Sequence, residues 1–349
     1  MEIKIIIGIP TFNRPQILLR RLNELEKYSH LIEGVIISDN SDVFNNEVNE
    51  ICMLHENWVY SKNKFNIGGG ANFIRLFELA PNGSHLWLRG DDDPITENQI
   101  KALFSTNFKA NELIILRPKN LVCYKGIGLK DFCENFNQIQ SFGWISMCVI
   151  PIEIANETLP TGYWGVHTGW AHVCLILGIF QKYNNLSFQV IGFEMLKTDF
   201  REVEKEDIHW GFFNTCIKNF SKTSNILVDK NIRQIYLNSW IDSQSYSSSI
   251  KAMIGIRIGI NPPESIKWET LSPILSLQKP NKIPLFFILY MLAIIPDFLI
   301  LSSLLFVKKT IDNEKLETLQ LGFLKNKTFR ESYRILNKKI KREKSIGFI

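Results

Sequence analysis

Several features that define other protein classes are missing from this sequence. Its six cysteines are scattered and form no C-x-x-C pair, which argues against a disulfide framework. The chain passes from its first residues directly into an apolar run, without the organisation of a signal peptide. No internal repeat and no low-complexity tract interrupts it. We therefore expect a cytoplasmic protein in which the thiols are small core residues.

The common nucleotide-binding signatures are also missing. The glycine-rich stretch Asn66–Ala71 lacks the Lys-Ser/Thr of a P-loop, and its position and spacing do not fit G-x-G-x-x-G. Walker-type ATP sites and Rossmann NAD sites are therefore disfavoured. Glycines before a helix still allow a close approach to a phosphate or a base, although a flexible turn is an equally good explanation of these residues.

Composition and charge limit the remaining classes. The chain has 349 residues, of which 45% are hydrophobic and 21% are charged, so we expect one large or two smaller globular domains with an ample core. The net charge of +5 is unevenly distributed, because residues 308–349 carry +7 and the rest of the chain carries −2. The basic character is therefore a property of the C-terminal tail.

The N-terminal half alternates strands and helices. The β-branched run Ile3–Ile9 is typical of a central parallel strand. A polar turn follows, in which Asn13 is a candidate helix cap and Pro15 fits the first turn of a helix. A strand about every thirty residues is the spacing of βαβ units in an open α/β sheet. Further strands are predicted at Val35–Ser38, Trp58–Ser61, Glu112–Arg117 and Ser141–Ile150.

Three consecutive carboxylates, Asp91, Asp92 and Asp93, follow an apolar run that ends at Leu88. A capping-box pattern, Thr96–Gln99, then predicts the start of a helix. Hard cations such as Mg²⁺ and Mn²⁺ prefer oxygen ligands, commonly one or two carboxylates together with substrate phosphates. Ligands bind at the carboxyl ends of strands in α/β sheets. These residues predict a metal–phosphate site, and the alternative is a solvated acidic turn.

Four motifs in order resemble those of a known family. The segments Ile7–Pro15, Ile37–Ser41, Asn66–Gly70 and Leu88–Asp93 are similar to motifs of the family 2 glycosyltransferases of the bacterial surface-polysaccharide type. The resemblance covers about the first 120 residues. It implies a GT-A, Rossmann-like α/β fold with a mixed, mostly parallel sheet flanked by helices. It also implies a nucleotide-sugar donor and Mn²⁺ or Mg²⁺ as cofactor.

The resemblance implies roles for individual residues. Asp39 matches the carboxylate that accepts a hydrogen bond from the base, commonly uracil. Asp91 and Asp93 match the D-x-D pair that reaches the ribose and the metal on the diphosphate, although three adjacent carboxylates leave open which two contact the metal. The residues that match the nucleotide-binding positions of the family are Pro10, Thr11, Arg14, Asp39, Asn66, Gly68, Gly69 and Asp91.

The acceptor side and the catalytic base are less clearly marked. Residues 161–172 are dense in aromatic residues and glycine, which suits sugar rings. His167 and His172 are candidates for a general base or an acceptor contact, and the alternative is that His172 belongs to a core helix. In the resembled family the base is an Asp or Glu about a hundred residues after the D-x-D pair. Asp199 is the preferred candidate, and Asp207 is the next.

The C-terminal segment raises the question of a membrane. Residues 283–307 carry one charge, Asp297, beside Pro296, and each half is too short to span a bilayer. Lysines flank the run on both sides, so we expect an apolar hairpin bent at Pro296, followed by a basic helix on anionic lipid. The alternative is a buried core helix followed by a solvated basic helix.

Taken with these patterns, the family resemblance implies an inverting, metal-dependent glycosyltransferase. It would use a UDP-sugar and a glycan or lipid-linked glycan acceptor, as a peripheral or monotopic protein on the inner face of the cell membrane, in O-antigen or capsule synthesis. The expected parts are a donor half (1–125), an acceptor half (126–270) and a membrane-associating helical segment (271–349). One alternative is a sugar-phosphate nucleotidyltransferase. Another is a nucleic-acid-binding protein led by the basic tail, but no recognition motif accompanies that tail, so a nucleic-acid partner is not expected.

Overall fold

The structure is a computed structural model that describes residues 4–118, 124–135, 140–194, 212–243, 246–257, 264–275 and 282–295. The base candidates Asp199 and Asp207 and the basic tail lie outside the described residues. The chain divides into two compact units. The first contains the described residues up to 194 together with 222–243, and the second contains 212–221 and the described residues from 246 onward. The three-part division expected from the sequence stays a prediction.

An eight-stranded sheet forms the centre of the first unit. Its strands are β1 (Lys4–Thr11), β2 (Gly34–Asp39), β3 (Trp58–Lys62), β4 (Ser84–Leu88), β5 (Leu113–Pro118), β6 (Tyr124–Ile127), β7 (Cys148–Pro151) and β8 (Ser187–Phe193). The spatial order is β3-β2-β1-β4-β7-β5-β8-β6. Only β7 and β6 run antiparallel to their neighbours. The expected mixed, mostly parallel α/β sheet is confirmed.

Helices cover both faces of this sheet. Among the residues that the structure describes up to residue 243, the α-helices are α1 (Pro15–Glu26), α2 (Asn46–Met53), α3 (Gly69–Leu79), α4 (Glu97–Phe104), α5 (Gly128–Glu134), α6 (Ile152–Asn156), α7 (Leu159–Trp164), α8 (Ala171–Lys182), α9 (Phe220–Thr223) and α10 (Lys230–Ser243). On one face, Ile7 of β1 shares an apolar core with Leu22 of α1 and Leu103 of α4. On the other face, a Cβ placed on Gly8 would lie 3.2 Å from Leu76 of α3.

The predicted strand Ser141–Ile150 is wrong over most of its length. Two 3-10 turns lie within residues 140–147, and β7 begins only after them. The reason is a tertiary contact, because the side chains of Trp144 and Ser146 both donate hydrogen bonds to Asp93. The buried apolar residues of this segment are therefore held in turns rather than in an extended ladder.

The helix starts test two capping predictions. The capping box at Thr96–Gln99 is present and opens α4, as predicted. The cap predicted for α1 is wrong, because its N-cap is Arg14, without a side-chain hydrogen bond. Asn13 instead has a φ of 53°, and its amide group exchanges two hydrogen bonds of 3.2 Å with Asp42. Asn tolerates this left-handed conformation, and the pair ties the end of β1 to the turn after β2.

The second unit is helical in its described part. It contains a π-helix (Phe212–Asn219), α11 (Tyr246–Arg257), α12 (Trp268–Leu275) and α13 (Ile283–Ile294). The carboxylate of Glu264 accepts hydrogen bonds from two backbone N–H groups of the π-helix, at 3.2 and 2.7 Å. Arg257 donates to the backbone oxygen of Leu292, at 3.0 Å, near the end of α13. These contacts hold the turns of the second unit to one another.

Helix α13 is apolar on all sides. Leu285, Phe286 and Leu289 are buried, whereas Phe287 and Met291 are about half exposed. Among the helices that the structure describes, none is long and apolar enough to cross a membrane. The bend predicted at Pro296 lies outside the described residues.

Candidate functional site

The candidate site lies at the carboxyl ends of β1, β2 and β4. The first helical crossovers build the sheet from β1 towards β3, and the chain then returns to place β4 on the opposite side of β1. In α/β sheets ligands bind at such a switch point, outside the carboxyl ends of the strands. Three of the predicted site residues, Thr11, Asp39 and Asp91, follow or end these strands.

The acidic turn after β4, Gly90–Asp93, contacts the end of β1 directly. Thr11 Oγ1 donates a hydrogen bond of 2.7 Å to Asp91 Oδ2. One terminal nitrogen of Arg14 lies 3.2 Å from a carboxylate oxygen of Asp91 and also 3.2 Å from one of Asp92. Two carboxylates therefore converge on a single cationic position. The structure thus brings Thr11, Arg14 and Asp91 together, as the sequence motifs imply.

Asp91 is an electrostatically unusual carboxylate. It is 6% exposed, and burial raises its pKa to about 6, against the opposing effects of Thr11 and Arg14. The ionised form is therefore disfavoured in the folded protein, and additional positive charge beside it would be favourable. Such pKa values cluster at functional sites, although structural networks produce them too. This turn is therefore largely buried, which is the opposite of the solvated acidic turn considered from the sequence.

Asp93 is held differently from Asp91 and Asp92. Its Oδ2 accepts hydrogen bonds from Ser146 Oγ and, at 3.0 Å, from Trp144 Nε1. Ser146 Oγ also accepts from the backbone N–H of Gly90, at 2.8 Å. The Asp93 carboxylate therefore anchors the acidic turn to the segment before β7. Its expected role as a metal ligand stays a prediction. Asp92, rather than Asp93, is the second carboxylate that lies with Asp91 beside Arg14.

A buried arginine supports the acidic turn from inside. Arg89 is 1% exposed, and it donates hydrogen bonds to the backbone oxygens of Asp93 and Pro94, at 3.1 and 2.5 Å, and to Gln99 Oε1, at 3.3 Å. Burial lowers its pKa to about 10, so it stays charged at neutral pH. No role was predicted for Arg89 from the sequence. Its burial was not readable from its position in the motif.

The acidic turn fits a cation that arrives with a phosphate ligand. In the ranges that the structure describes, no cluster of three or more His, Cys, Asp or Glu side chains could hold a metal ion by itself. Mg²⁺ and Mn²⁺ do not require one, because one or two carboxylates and substrate phosphates commonly complete the shell. Asp91 with a neighbouring carboxylate supplies hard oxygen donors at a buried position. The donor set therefore suits a metal–diphosphate complex better than a permanently bound ion.

A cavity of about 520 Å³ opens beside the acidic turn. It is lined by the ends of β1 and β2 and by the residues that lead into α2, among them Thr11, Asp39, Ser41, Phe44 and Asn45. Asp39 is 2% exposed, and its two oxygens accept hydrogen bonds from Ser41 N at 2.7 Å and from Tyr60 Oη at 2.5 Å. The cavity therefore has an oriented carboxylate and an exposed aromatic ring, Phe44, which is 47% exposed.

A network of three asparagines fixes the glycine-rich stretch Asn66–Ala71, here called the glycine loop, to the sheet. Asn72 Nδ2 donates to the backbone oxygen of Ser38 at 2.8 Å, and Asn63 Nδ2 bridges Asn72 Oδ1 and Asn40 Oδ1, at 2.9 and 2.8 Å. Asn40 Nδ2 in turn donates to the backbone oxygen of Gly68, at 3.3 Å. Sequence reasoning missed Asn63 and Asn72. Asn63 follows the predicted strand Trp58–Ser61 and Asn72 follows the glycines, and neither position marks these contacts in the sequence.

The remaining donor-site candidates lie around this loop. Pro10 is buried within β1 and pairs with Ser38 of β2. Asn66 is exposed, and its Oδ1 accepts a hydrogen bond of 2.8 Å from Gly68 N. Gly68 has a φ of 84°, and a Cβ on Gly68 or Gly69 would meet open space. Gly68 is thus required by its backbone conformation, and the space beside Gly69 is free for a ligand.

The two histidines of the aromatic segment have different environments. His172 lies in α8, is 3% exposed, and burial lowers its pKa to about 4, so the core-helix alternative is confirmed for it. His167 is exposed, and its Nδ1 lies 2.6 Å from the backbone oxygen of Trp164. The adjacent Val166 packs on the start of α3, because a Cβ on Gly70 would lie 3.3 Å from its Cα. His167 is therefore beside the glycine loop.

Two glycines of the same segment, Gly162 and Gly165, serve helix packing. A Cβ on Gly162 would lie 2.7 Å from Ile74 Cδ1, and one on Gly165 would lie 2.4 Å from Cys174 Cβ. Trp164 remains 44% exposed and lines an open groove of about 640 Å³ with residues of α7 and α8. The side chain of Trp164 is thus available to a ligand.

Comparison with known proteins gives only distant likenesses. No family model matches the chain, and no curated protein matches it. A solved structure of S. aureus TarS, residues 1–349, is 9% identical, with 83% of this chain and 88% of that chain covered and a TM-score of 0.48. GalNAc-T7, solved with UDP, GalNAc and Mn²⁺, is 12% identical, with 69% and 51% covered and a TM-score of 0.42.

A nucleotidyl transferase from Methanothermobacter thermautotroptrophicus is also similar. It is 12% identical, with 55% of this chain and 88% of that chain covered and a TM-score of 0.36. TarS and GalNAc-T7 are glycosyltransferases, so both enzyme classes considered from the sequence occur among these structures. With every TM-score below 0.5, the likenesses do not show the family of this chain.

Proposed function

We propose that this protein is a metal-dependent glycosyltransferase that moves a sugar from a nucleoside diphosphate to a hydroxyl group of a glycan or lipid-linked glycan. One observation carries the proposal. The buried carboxylate of Asp91 meets Arg14 and Thr11 at the switch point of the sheet, beside a cavity that contains Asp39. A diphosphate needs cationic neutralisation and a base needs oriented hydrogen-bonding groups, and the two features adjoin here.

The reaction forms one bond and breaks one bond. The acceptor hydroxyl oxygen bonds to the anomeric carbon, the bond from that carbon to the diphosphate oxygen breaks, and the acceptor proton passes to a base. Because the acceptor attacks the face opposite the leaving diphosphate in a single displacement, the configuration of the anomeric carbon is inverted. A divalent ion held by Asp91 and a neighbouring carboxylate would neutralise the charge on the leaving diphosphate. Arg14, which is about one-quarter exposed, would bind a phosphate oxygen from the same edge. Asp39 would accept a hydrogen bond from the base, which we expect to be uracil.

The base that takes the acceptor proton is a separate part of the proposal. His167 is the candidate among the described residues, since it is exposed and its segment packs against the glycine loop. Asp199 and Asp207 remain candidates by sequence. A His167→Gln variant that keeps donor binding but loses transfer would support His167. Unchanged transfer by this variant would exclude His167 and leave the two aspartates.

We extend the proposal to the place of reaction, the inner membrane face, where a lipid-linked acceptor of bacterial surface-polysaccharide synthesis would lie. Its support is the exposed apolar side of α13, formed by Ile283, Phe287, Met291 and Ile294, each at least 43% exposed. A basic tail follows in the sequence, and it would complement anionic lipid. Exposed apolar patches with basic neighbours are typical of membrane-surface proteins.

Vesicle sedimentation tests this location. The full chain should sediment with phosphatidylcholine vesicles that contain phosphatidylglycerol, and the double variant Phe287→Asp, Met291→Asp should bind several-fold less. Phe65→Asp is the matched control, because Phe65 is 67% exposed and lies in the first unit. Equal sedimentation of both variants would contradict a role for α13.

Isothermal titration tests the donor site. The wild-type protein is titrated with UDP and with GDP, each with and without Mn²⁺, and the titrations are repeated with Asp91→Asn. We expect one nucleotide to bind only with metal, and we expect the variant to lose this binding. No binding of either nucleotide under any condition would contradict the proposed function.

A further inference from the structure

We propose that Tyr60 is a positioning residue for recognition of the nucleotide base: its hydroxyl group locks the Asp39 carboxylate to the opposite wall of the 520 Å³ cavity. The proposal rests on the proposed function, since it takes this cavity as the place of the base. No sequence motif pointed to Tyr60, which lies in β3, outside the four motifs.

The hydroxyl group of Tyr60 makes two directional contacts. It donates a hydrogen bond of 2.5 Å to Asp39 Oδ2, and it accepts one of 3.1 Å from the backbone N–H of Asn45. Asp39 ends β2, and Asn45 precedes α2. One phenol oxygen therefore joins the strand end that carries the carboxylate to the segment that forms the far side of the cavity.

The far side of the cavity depends on the same tyrosine. Asn45 caps α2, since its Oδ1 accepts a hydrogen bond of 3.1 Å from Val48 N. The ring of Phe44 meets the ring of Tyr60 edge to face, with centroids 5.1 Å apart. Phe44 is 47% exposed and lines the cavity, so it is available to contact a planar base. Removal of the Tyr60 hydroxyl would release both the carboxylate and the start of α2.

The two hydrogen bonds to Asp39 limit which ligand groups its carboxylate can bind. Each of its oxygens already has one fixed donor, Ser41 N or Tyr60 Oη, and an ionised carboxylate has about four lone-pair sites. The remaining sites accept only N–H or O–H donors from a ligand. Burial and the contact with Asp39 raise the pKa of Tyr60, so its proton stays in place at neutral pH. A ring N–H group, such as that of uracil, meets this requirement, and the N-methylated nucleotides used below test it.

The test compares a nucleotide with its N-methylated analogue. Whichever of UDP or GDP the wild type binds is paired with the analogue methylated at the ring N–H, N3 of uracil or N1 of guanine. Each is titrated with Mn²⁺ into the wild type and Tyr60→Phe. We expect the wild type to prefer the unmethylated nucleotide by at least about tenfold, since a charge-assisted hydrogen bond is lost. The variant should lose most of this preference.

Two controls separate positioning from a structural effect. Manganese pyrophosphate should bind the wild type and Tyr60→Phe equally, because it has no base and does not enter the cavity beside Asp39. Tyr28→Phe is the matched substitution, since Tyr28 packs partly buried against the same apolar core, and it should keep the wild-type preference. A preference unchanged in Tyr60→Phe would overturn the inference, as would a pyrophosphate affinity that falls in parallel. Failure of the wild type to bind either nucleotide would instead overturn the proposed function.

Discussion

The acidic turn after β4 (Gly90–Asp93) and the turn that contains Trp164 and His167, here called the aromatic turn, differ in how their side chains are held. Asp91 and Asp93 are about 5% exposed and are bonded to residues from distant parts of the chain. Trp164 and His167 are exposed, and they contact each other, because His167 Nδ1 lies 2.6 Å from the backbone oxygen of Trp164 and the two rings meet edge to face. A buried network fixes geometry before a ligand binds, whereas an exposed pair takes its geometry from the ligand.

This difference decides how variants in the two turns must be interpreted. Substitutions in the acidic turn change folding stability and ligand binding together, so they require a measurement of each. Substitutions in the aromatic turn should leave the fold intact, so that a change in activity is a direct report on function.

The largest effect on stability is expected from Arg89→Met. The substitution leaves the backbone oxygens of Asp93 and Pro94 and the side chain of Gln99 without their buried charged donor. We expect the free energy of unfolding to fall by about 3 kcal/mol or more, measured by urea denaturation. Arg20→Met on the exposed side of α1 should change it by less than about 0.5 kcal/mol. Similar losses for both would mean that the acidic turn is not held from inside.

Asp91→Asn should give a pH-dependent gain in stability. The folded pKa of Asp91, raised from 3.8 to about 6, means that the folded state binds the proton more tightly than the unfolded state. The cost of ionisation is absent below pH 4 and fully present above about pH 6, where it amounts to about 3 kcal/mol. The stability of the variant relative to wild type should therefore rise across this range, as followed by urea denaturation at several pH values. A difference that does not change with pH would contradict the burial effect.

Gly90→Ala should affect both folding stability and ligand binding, with the larger effect on binding. A Cβ there would lie 2.9 Å from Asp93 Oδ2 and 3.0 Å from Asp92 Oδ1, so the carboxylates must shift while the backbone stays. We expect a loss of at most about 1 kcal/mol in stability and a weakening of metal-dependent nucleotide binding of about tenfold, measured by calorimetry. Gly83→Ala is not suitable as a control because of its φ of 83°. Gly69→Ala is the control for the stability measurement, since a Cβ on Gly69 would meet open space.

A small effect on stability is expected from Trp164→Ala. Its indole is 44% exposed, so the change in unfolding free energy should stay within about 1 kcal/mol. If the groove beside it receives the acceptor, the KM for acceptor should rise while donor binding stays unchanged. An effect on donor binding alone would place this turn on the donor side instead.

The sequence patterns predicted the elements that depend on local chemistry. The capping box at Thr96–Gln99 and the proline at the start of α1 involve neighbours within a few residues, so the pattern contains the whole interaction. The same holds for the apolar strands β1 and β2. The ordered motifs also predicted that Thr11 and Asp91 lie at one edge of the sheet, where the structure shows a hydrogen bond between them.

The parts that were missed depend on distant contacts. Asp93 is bonded to Ser146 from 53 positions away, and Tyr60 to Asp39 from 21 positions away. Neither partner has a residue type or spacing that marks it in the sequence. The wrong prediction of a helix cap at Asn13 has the same origin, because its side-chain amide is hydrogen-bonded to Asp42 and not to the start of α1. Tertiary hydrogen bonds override local propensity at such positions.

The phosphorus-containing products formed from a UDP-sugar distinguish glycosyl transfer from other reactions of the nucleotide. The full chain is incubated with a UDP-sugar and Mn²⁺, and these products are followed by ³¹P NMR, with Asp91→Asn in parallel. We expect metal-dependent release of UDP, by slow transfer to water in the absence of an acceptor, and none from the variant. Cleavage between the two phosphates, with UMP and a sugar phosphate as products, would contradict glycosyl transfer, and so would UDP release that is unaffected by Asp91→Asn.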